Sequence, residues 1–147
     1  MSTIDPATRP AAMGFHDGVV SLGVMMMTLL AGGSEPAALV RPGIAAAFAG
    51  AVSMSLGEWS SVGAAQDAGI RHESKRRAFL ASFFSFALGS SVPVLVMWYG
   101  GGIAELVAAS LSLIALASLV TGTNATRSLT VAVIATVASL AFGHATR

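Results

Sequence analysis

The chain contains no cysteine, which removes disulfides, thiolate metal sites and cysteine nucleophiles from consideration. Charge is scarce as well: 10% of the 147 residues are Asp, Glu, Lys or Arg, against about 25% in an ordinary soluble domain. What charge there is clusters, with Arg71, Lys75, Arg76 and Arg77 holding half of the eight basic residues. A net charge of +1 leaves no electrostatic footprint for nucleic acid. No nucleophile–base pair, phosphate loop or nucleotide fingerprint is present, which argues against an enzyme. Asp5, Pro6, Arg9 and Pro10 precede any apolar run, so the start does not resemble a cleavable signal peptide. Residues 1–14 are expected to form a cytoplasmic segment, and the first span to act as its own membrane signal.

Apolar residues are what the chain has in excess, at 54%. Runs long enough to cross a bilayer, roughly 17–25 residues, occur at 15–32, 43–64, 78–99, 103–121 and 128–143. They are too long and too unalternating for barrel strands, and helices satisfy their own backbone groups in lipid. The expected fold is an all-α bundle of five transmembrane helices, with residues 15–147 as one domain. Lys and Arg divide unevenly between the two sides: Arg9, Arg71, Lys75, Arg76, Arg77 and Arg127 on one, Arg41 and Arg147 on the other. By the positive-inside rule the N-terminus is cytoplasmic. Trp59, Trp98 and Tyr99 fall near span ends, where amphipathic rings anchor at the interface. Sixteen glycines allow close backbone approach between helices. A bundle this thin around a path suggests a homodimer with two-fold symmetry.

One carboxylate breaks the pattern. Glu58 lies in an otherwise uncharged stretch from Gly43 to Gly63, where an ionisable group marks a functional path by default. Asp17, Ser21 and Met25 share one face of the first span by i, i+4, i+8 spacing; Gly50, Met54 and Glu58 do the same in the second. Laid antiparallel, with the cytoplasmic start of the first span at the depth of the cytoplasmic end of the second, the two faces set Ser21 level with Glu58 and Met25 level with Met54. The expected ladder has carboxylates nearer the cytoplasm and thioethers deeper. Bland readings compete with each rung: Asp17 as a helix N-cap, Glu58 extended to the interface, Met25, Met26 and Met27 as gap-filling core. Carboxylate oxygens with thioether sulfur suit a divalent transition metal better than Mg2+ or Ca2+, which prefer all-oxygen shells. A carboxylate drawn partly out of water can hold either a proton or a cation, a basis for exchange.

The stretch Phe15-His16-Asp17-Gly18-Val19-Val20-Ser21, then Gly50-Ala51-Val52-Ser53-Met54-Ser55-Leu56-Gly57-Glu58-Trp59 with Gln66-Asp67, resembles the vacuolar iron transporter family and its nodulin-like branch. The resemblance extends over Gly89 and Pro93 to Thr121-Gly122 and Arg127. It implies a homodimeric exporter of cytosolic Fe2+, with Mn2+ and related divalents as further cargo, exchanging metal for protons and holding no other cofactor. It also implies that Asp17 and Met54 line the ion path at the dimer axis, and it matches Glu58 to the family's Gly-Glu pair. The metal-site residues expected are therefore Asp17, Met54, Glu58 and Met25. The membrane would be the cytoplasmic one, or a vacuolar or other organellar membrane in a eukaryote. Two departures stand out. Many members insert a glutamate-rich cytoplasmic domain between the second and third spans, where this chain has only Ala65 to Arg77, with Asp67 and Glu73 as carboxylates; Trp59 replaces the usual Tyr.

Other residues carry less. His16 stands beside Asp17 as a proton relay or a satisfied interfacial histidine; His72 sits in a basic loop suited to anionic headgroups. Glu105 reads as a favourable charge at a helix N-terminus rather than an exit ligand, and Pro93 as a kink. Two rivals to transport stay open: a non-transporting membrane interaction or assembly protein, and a metal-binding membrane anchor.

Overall fold

The computed structural model describes residues 8–70, 74–122 and 124–146. Among these the chain is five α-helices with no strand: α1 (Thr8–Ala31), α2 (Pro36–Asp67), α3 (Lys75–Trp98), α4 (Ile103–Thr121) and α5 (Ala125–Ala145). All five are long and apolar enough to cross a membrane. Asp5 and Pro6, the loop residues Arg71, His72 and Glu73, and Arg147 lie outside the described residues.

Helices extend beyond the apolar runs wherever local chemistry permits. α2 begins at Pro36, not Gly43, because proline in the first turn gives up no intrahelical N–H bond and presets φ. Arg41 and Pro42, which look like a break in the sequence, lie inside it; a proline inside a spanning helix is tolerated where neighbours compensate. At 32 residues α2 is longer than the roughly 20 that a bilayer core needs, whereas α4 with 19 barely suffices. The Ser74 hydroxyl accepts from the Arg77 N–H to start α3, and Asn124 Oδ1 accepts from the Arg127 N–H at 3.1 Å to start α5. The Glu105 carboxylate accepts from the Gly102 N–H at 2.9 Å, which makes it a cap of α4. Gly122, at φ 66°, supplies the left-handed residue that ends α4.

α1 is the centre of the bundle and touches all four other helices, most extensively α3, against which α2 also packs. Glycine decides how closely α1 and α3 approach. A side chain at Gly14 would meet Ser85 and the Ser82 carbonyl, one at Gly18 the Phe86 carbonyl and Ser90 backbone, and one at Gly89 the Phe15 backbone. These three positions form a reciprocal seam of the small-xxx-small kind that holds helices together in lipid. Gly143 lets α5 approach Thr28 and Ala31 of α1 in the same way. The main apolar cluster gathers Leu22, Met26, Met27, Phe86, Met97 and Leu106. Met26 and Met27 therefore fill core, while their neighbour Met25 is only half-buried.

Candidate functional site

Because α3 and α4 cover its other sides, α1 leaves one stripe open. Met13, Asp17, Ser21 and Leu29 are exposed along it and Met25 is half-buried, the four-residue spacing of a single helical face. Two clefts lie along this stripe. One, of about 410 Å³, runs between α1 and α2 and is lined by Asp17, Ser21, Met25, Gly50, Met54 and the Phe86 ring, among others. The other, of about 820 Å³, opens toward the start of α5 and includes Met13, His16, Asp17, Val20, Met54 and Arg127. Asp17 and Met54 belong to both, so that pair is the neck where the clefts meet. Asp17 Oδ1 accepts a hydrogen bond from the Ser21 hydroxyl at 2.7 Å, which orients the carboxylate along the stripe.

The register between α1 and α2 differs from the expected one. The Met26 methyl lies against Gly43. Counting eleven residues from there along each antiparallel helix (54 − 43, 26 − 15) brings Met54 about level with Phe15. Met54 thus stands beside Asp17 rather than Met25, and Met25 lies deeper, opposite Ala46. The early start of α2 contributes to this shift: its additional residues from Pro36 to Pro42 make about two turns and shorten the connection to residues 32–35.

That shift moves Glu58 away from the place beside Ser21 where the sequence put it. Glu58 is 8% exposed and does not line the α1–α2 cleft. It belongs to the strip Ala51, Ser55, Glu58 and Val62, the buried face of α2. The α2–α3 contact is antiparallel, fixed by Trp59 edge-on to Phe79, Phe48 edge-on to Phe83 and Lys75 over Gly63. Glu58 consequently stands opposite residues 78–82 of α3. Its Oε2 and the Ser82 hydroxyl are both buried without a hydrogen-bond partner among the described residues.

His16 is tied down. Its Nδ1 lies 2.9 Å from the Ala12 carbonyl and its Nε2 3.3 Å from the Ser118 hydroxyl, linking α1 to α4. Sequence reasoning overlooked Met13, although it continues the Asp17–Ser21–Met25 spacing by one more turn. It also overlooked the site position of Arg127, whose charge it used only for topology. Among the described residues no three His, Asp or Glu side chains cluster as a metal site. One chain therefore offers a cation at the neck a carboxylate, a hydroxyl and thioethers.

Five apolar helices, with a carboxylate on the open face of the central one, define an integral membrane protein. Residues 8–79, covering α1, α2 and the start of α3, match the model of the VIT family. Curated relatives agree. The chain is 35% identical to vacuolar iron transporter homolog 5 of Oryza sativa subsp. japonica, with 59% of this chain and 49% of that protein covered. It is 33% identical to homolog 1 of the same plant, over 59% and 46% of the two chains, and 33% identical to homolog 4 of Arabidopsis thaliana, over 59% and 51%. The chain spans about half the length of these relatives. No solved structure matches it significantly.

Proposed function

We propose that this chain is a membrane transporter of divalent transition metals, carrying Fe2+, with Mn2+ as a further cargo, out of the cytosol in exchange for protons. The observation that carries the reading is Asp17 on the open stripe of the central helix with Met54 across the cleft from it. A carboxylate facing lipid at the centre of a span costs about 2.5–3.5 kcal/mol, so such a face calls for water, a cation or another chain. Oxygen and thioether donors together favour borderline divalents over Mg2+ and Ca2+. The relatives' printed names support iron as the cargo and a vacuolar or related membrane as the location.

A two-fold homodimer pairing the open α1 stripes would double the donor set, supplying two copies each of Asp17, Met54 and Met25, and would cover the stripe. Glu58 is left out of this ligand set because it is buried and does not line the cleft. The proton occupies the same carboxylate in the absence of metal, so loading and release are coupled by competition. The positive-inside rule puts the neck toward the cytosol, with the path leading deeper past Met25.

The test is metal flux into proteoliposomes loaded with a metal-sensitive dye, under an imposed pH gradient. Fe2+ and Mn2+ entry should require the gradient and should be abolished by Asp17→Asn and strongly reduced by Met54→Ala. Losing a charged ligand costs about 2–5 kcal/mol, so the apparent Kd of Asp17→Asn should rise at least ~30-fold. Undiminished flux in both variants would remove the proposed path.

A further inference from the structure

The larger cleft brings together two opposite charges from helices that meet at their N-terminal ends. Asp17 comes from α1 and Arg127 from the first turn of α5, and both line the same space of about 820 Å³. The Arg127 guanidinium makes no ion pair among the described residues; the bond recorded for this residue is from its backbone N–H to Asn124. Its charge is therefore not committed to holding the fold. His16, the other basic group on the cleft, is engaged by Ala12 and Ser118. Met13, Val20, Met54 and Val131 supply apolar walls, and low-dielectric walls let charges act on one another across a cleft.

We propose that Arg127 is a tethered counter-charge to Asp17, a resident cation that weakens the hold of the neck on its cargo and neutralises the carboxylate once the cargo has left. This deepens the transporter reading above and rests on it. The physical case is that a carrier binding its ion too tightly does not turn over, and a fixed positive charge on the same cleft as the ligand counteracts that. Repulsion scales with cargo charge, so a divalent ion feels Arg127 twice as strongly as a monovalent one. Guanidinium stays charged at every physiological pH, so the opposition is constant while the carboxylate exchanges proton for metal. Arg127 in this role is a positioning residue that acts through Asp17 and does not ligate the ion.

The experiment measures Mn2+ binding to the purified full chain by titration against the free-ion spectroscopic signal, alongside flux in proteoliposomes. Arg127→Gln should lower the Kd for Mn2+ about tenfold, allowing for screening by solvent and salt, and should slow turnover because release is slower. Arg127→Lys keeps the charge and should restore the wild-type Kd; a merely structural role predicts neither tighter binding nor this rescue. Arg127 is exposed and its capping bond uses backbone, so matched elution and melting profiles will show that both variants fold. An unchanged or weaker Kd in Arg127→Gln, with binding still lost in Asp17→Asn, overturns this inference alone. Mn2+ binding that is absent in the wild type, or unaffected by Asp17→Asn, overturns the transporter reading and this inference with it.

Discussion

Gly18→Ala should destabilise this bundle although it adds a single methyl group to a helix. The new Cβ would meet the Phe86 carbonyl oxygen and lie 2.9 Å from the Ser90 nitrogen and 3.2 Å from the Phe86 carbonyl carbon, all backbone atoms of α3. No side chain can swing aside, so α1 and α3 must separate locally by several tenths of an ångström to about 1 Å to restore contacts of ~3.5–4.0 Å. A gap of 0.5–1 Å forfeits about a quarter to a half of each dispersion contact lining it, and overpacking of this kind costs ~1–3 kcal/mol. Gly57→Ala is the matched control. It also lies mid-helix, but nothing is within 4 Å of its would-be Cβ, so only the helix preference for alanine remains, worth about 0.5–1 kcal/mol. The two substitutions should have opposite signs and melting midpoints separated by roughly 5–15 °C. Thermal unfolding in one detergent, followed by Trp59 and Trp98 fluorescence at a fixed scan rate, measures this; the fixed rate matters because such unfolding is often irreversible. A Gly18→Ala protein melting at or above wild type would refute the close-approach seam between α1 and α3.

Adjacent methionines provide a second contrast. Met26→Ala empties a fully buried site and should cost ~2–5 kcal/mol in the same melting assay, whereas Met25→Ala, on the cleft wall, should act mainly by weakening Mn2+ binding. Asn124→Ala removes the side-chain cap of α5 and should cost ~0.5–2 kcal/mol, read as a lower midpoint. Ser82→Ala deletes a buried hydroxyl with no partner among the described residues and should be neutral or stabilising, while Ser118→Ala breaks the link to His16 and should cost about 0.5–1.5 kcal/mol. Glu58→Gln should leave the Mn2+ Kd near its wild-type value; a loss matching that of Asp17→Asn would return Glu58 to the ligand set.

Much of the architecture was legible from composition and spacing. The five apolar runs each fall on one helix, Glu105 does cap α4, and the Asp17–Ser21–Met25 face is a real stripe on the surface of α1. Helix starts were less legible, since Pro36 and Pro10 look like interruptions but are compatible with a first turn. Misplacing the start of α2 by seven residues (43 − 36) contributed to a slide of the ladder by ten residues (25 − 15), nearly three turns, which had paired Met54 with the wrong partner.

The amino-acid sequence by itself determined that this chain crosses a membrane as helices, because the number and length of apolar runs and the need to satisfy backbone groups in lipid are local properties. It also determined which side chains could ligate a metal. Only the tertiary structure decided which of them meet. Helices that are apolar on nearly every side carry little periodicity, so their facing cannot be read from the pattern; it is set by where glycines permit backbones to touch and by how short the turns are. Those two constraints bring Asp17 to Met54, bury Glu58 away from the cleft, bury Met26 beside an accessible Met25, and put Arg127 on the same cleft as Asp17.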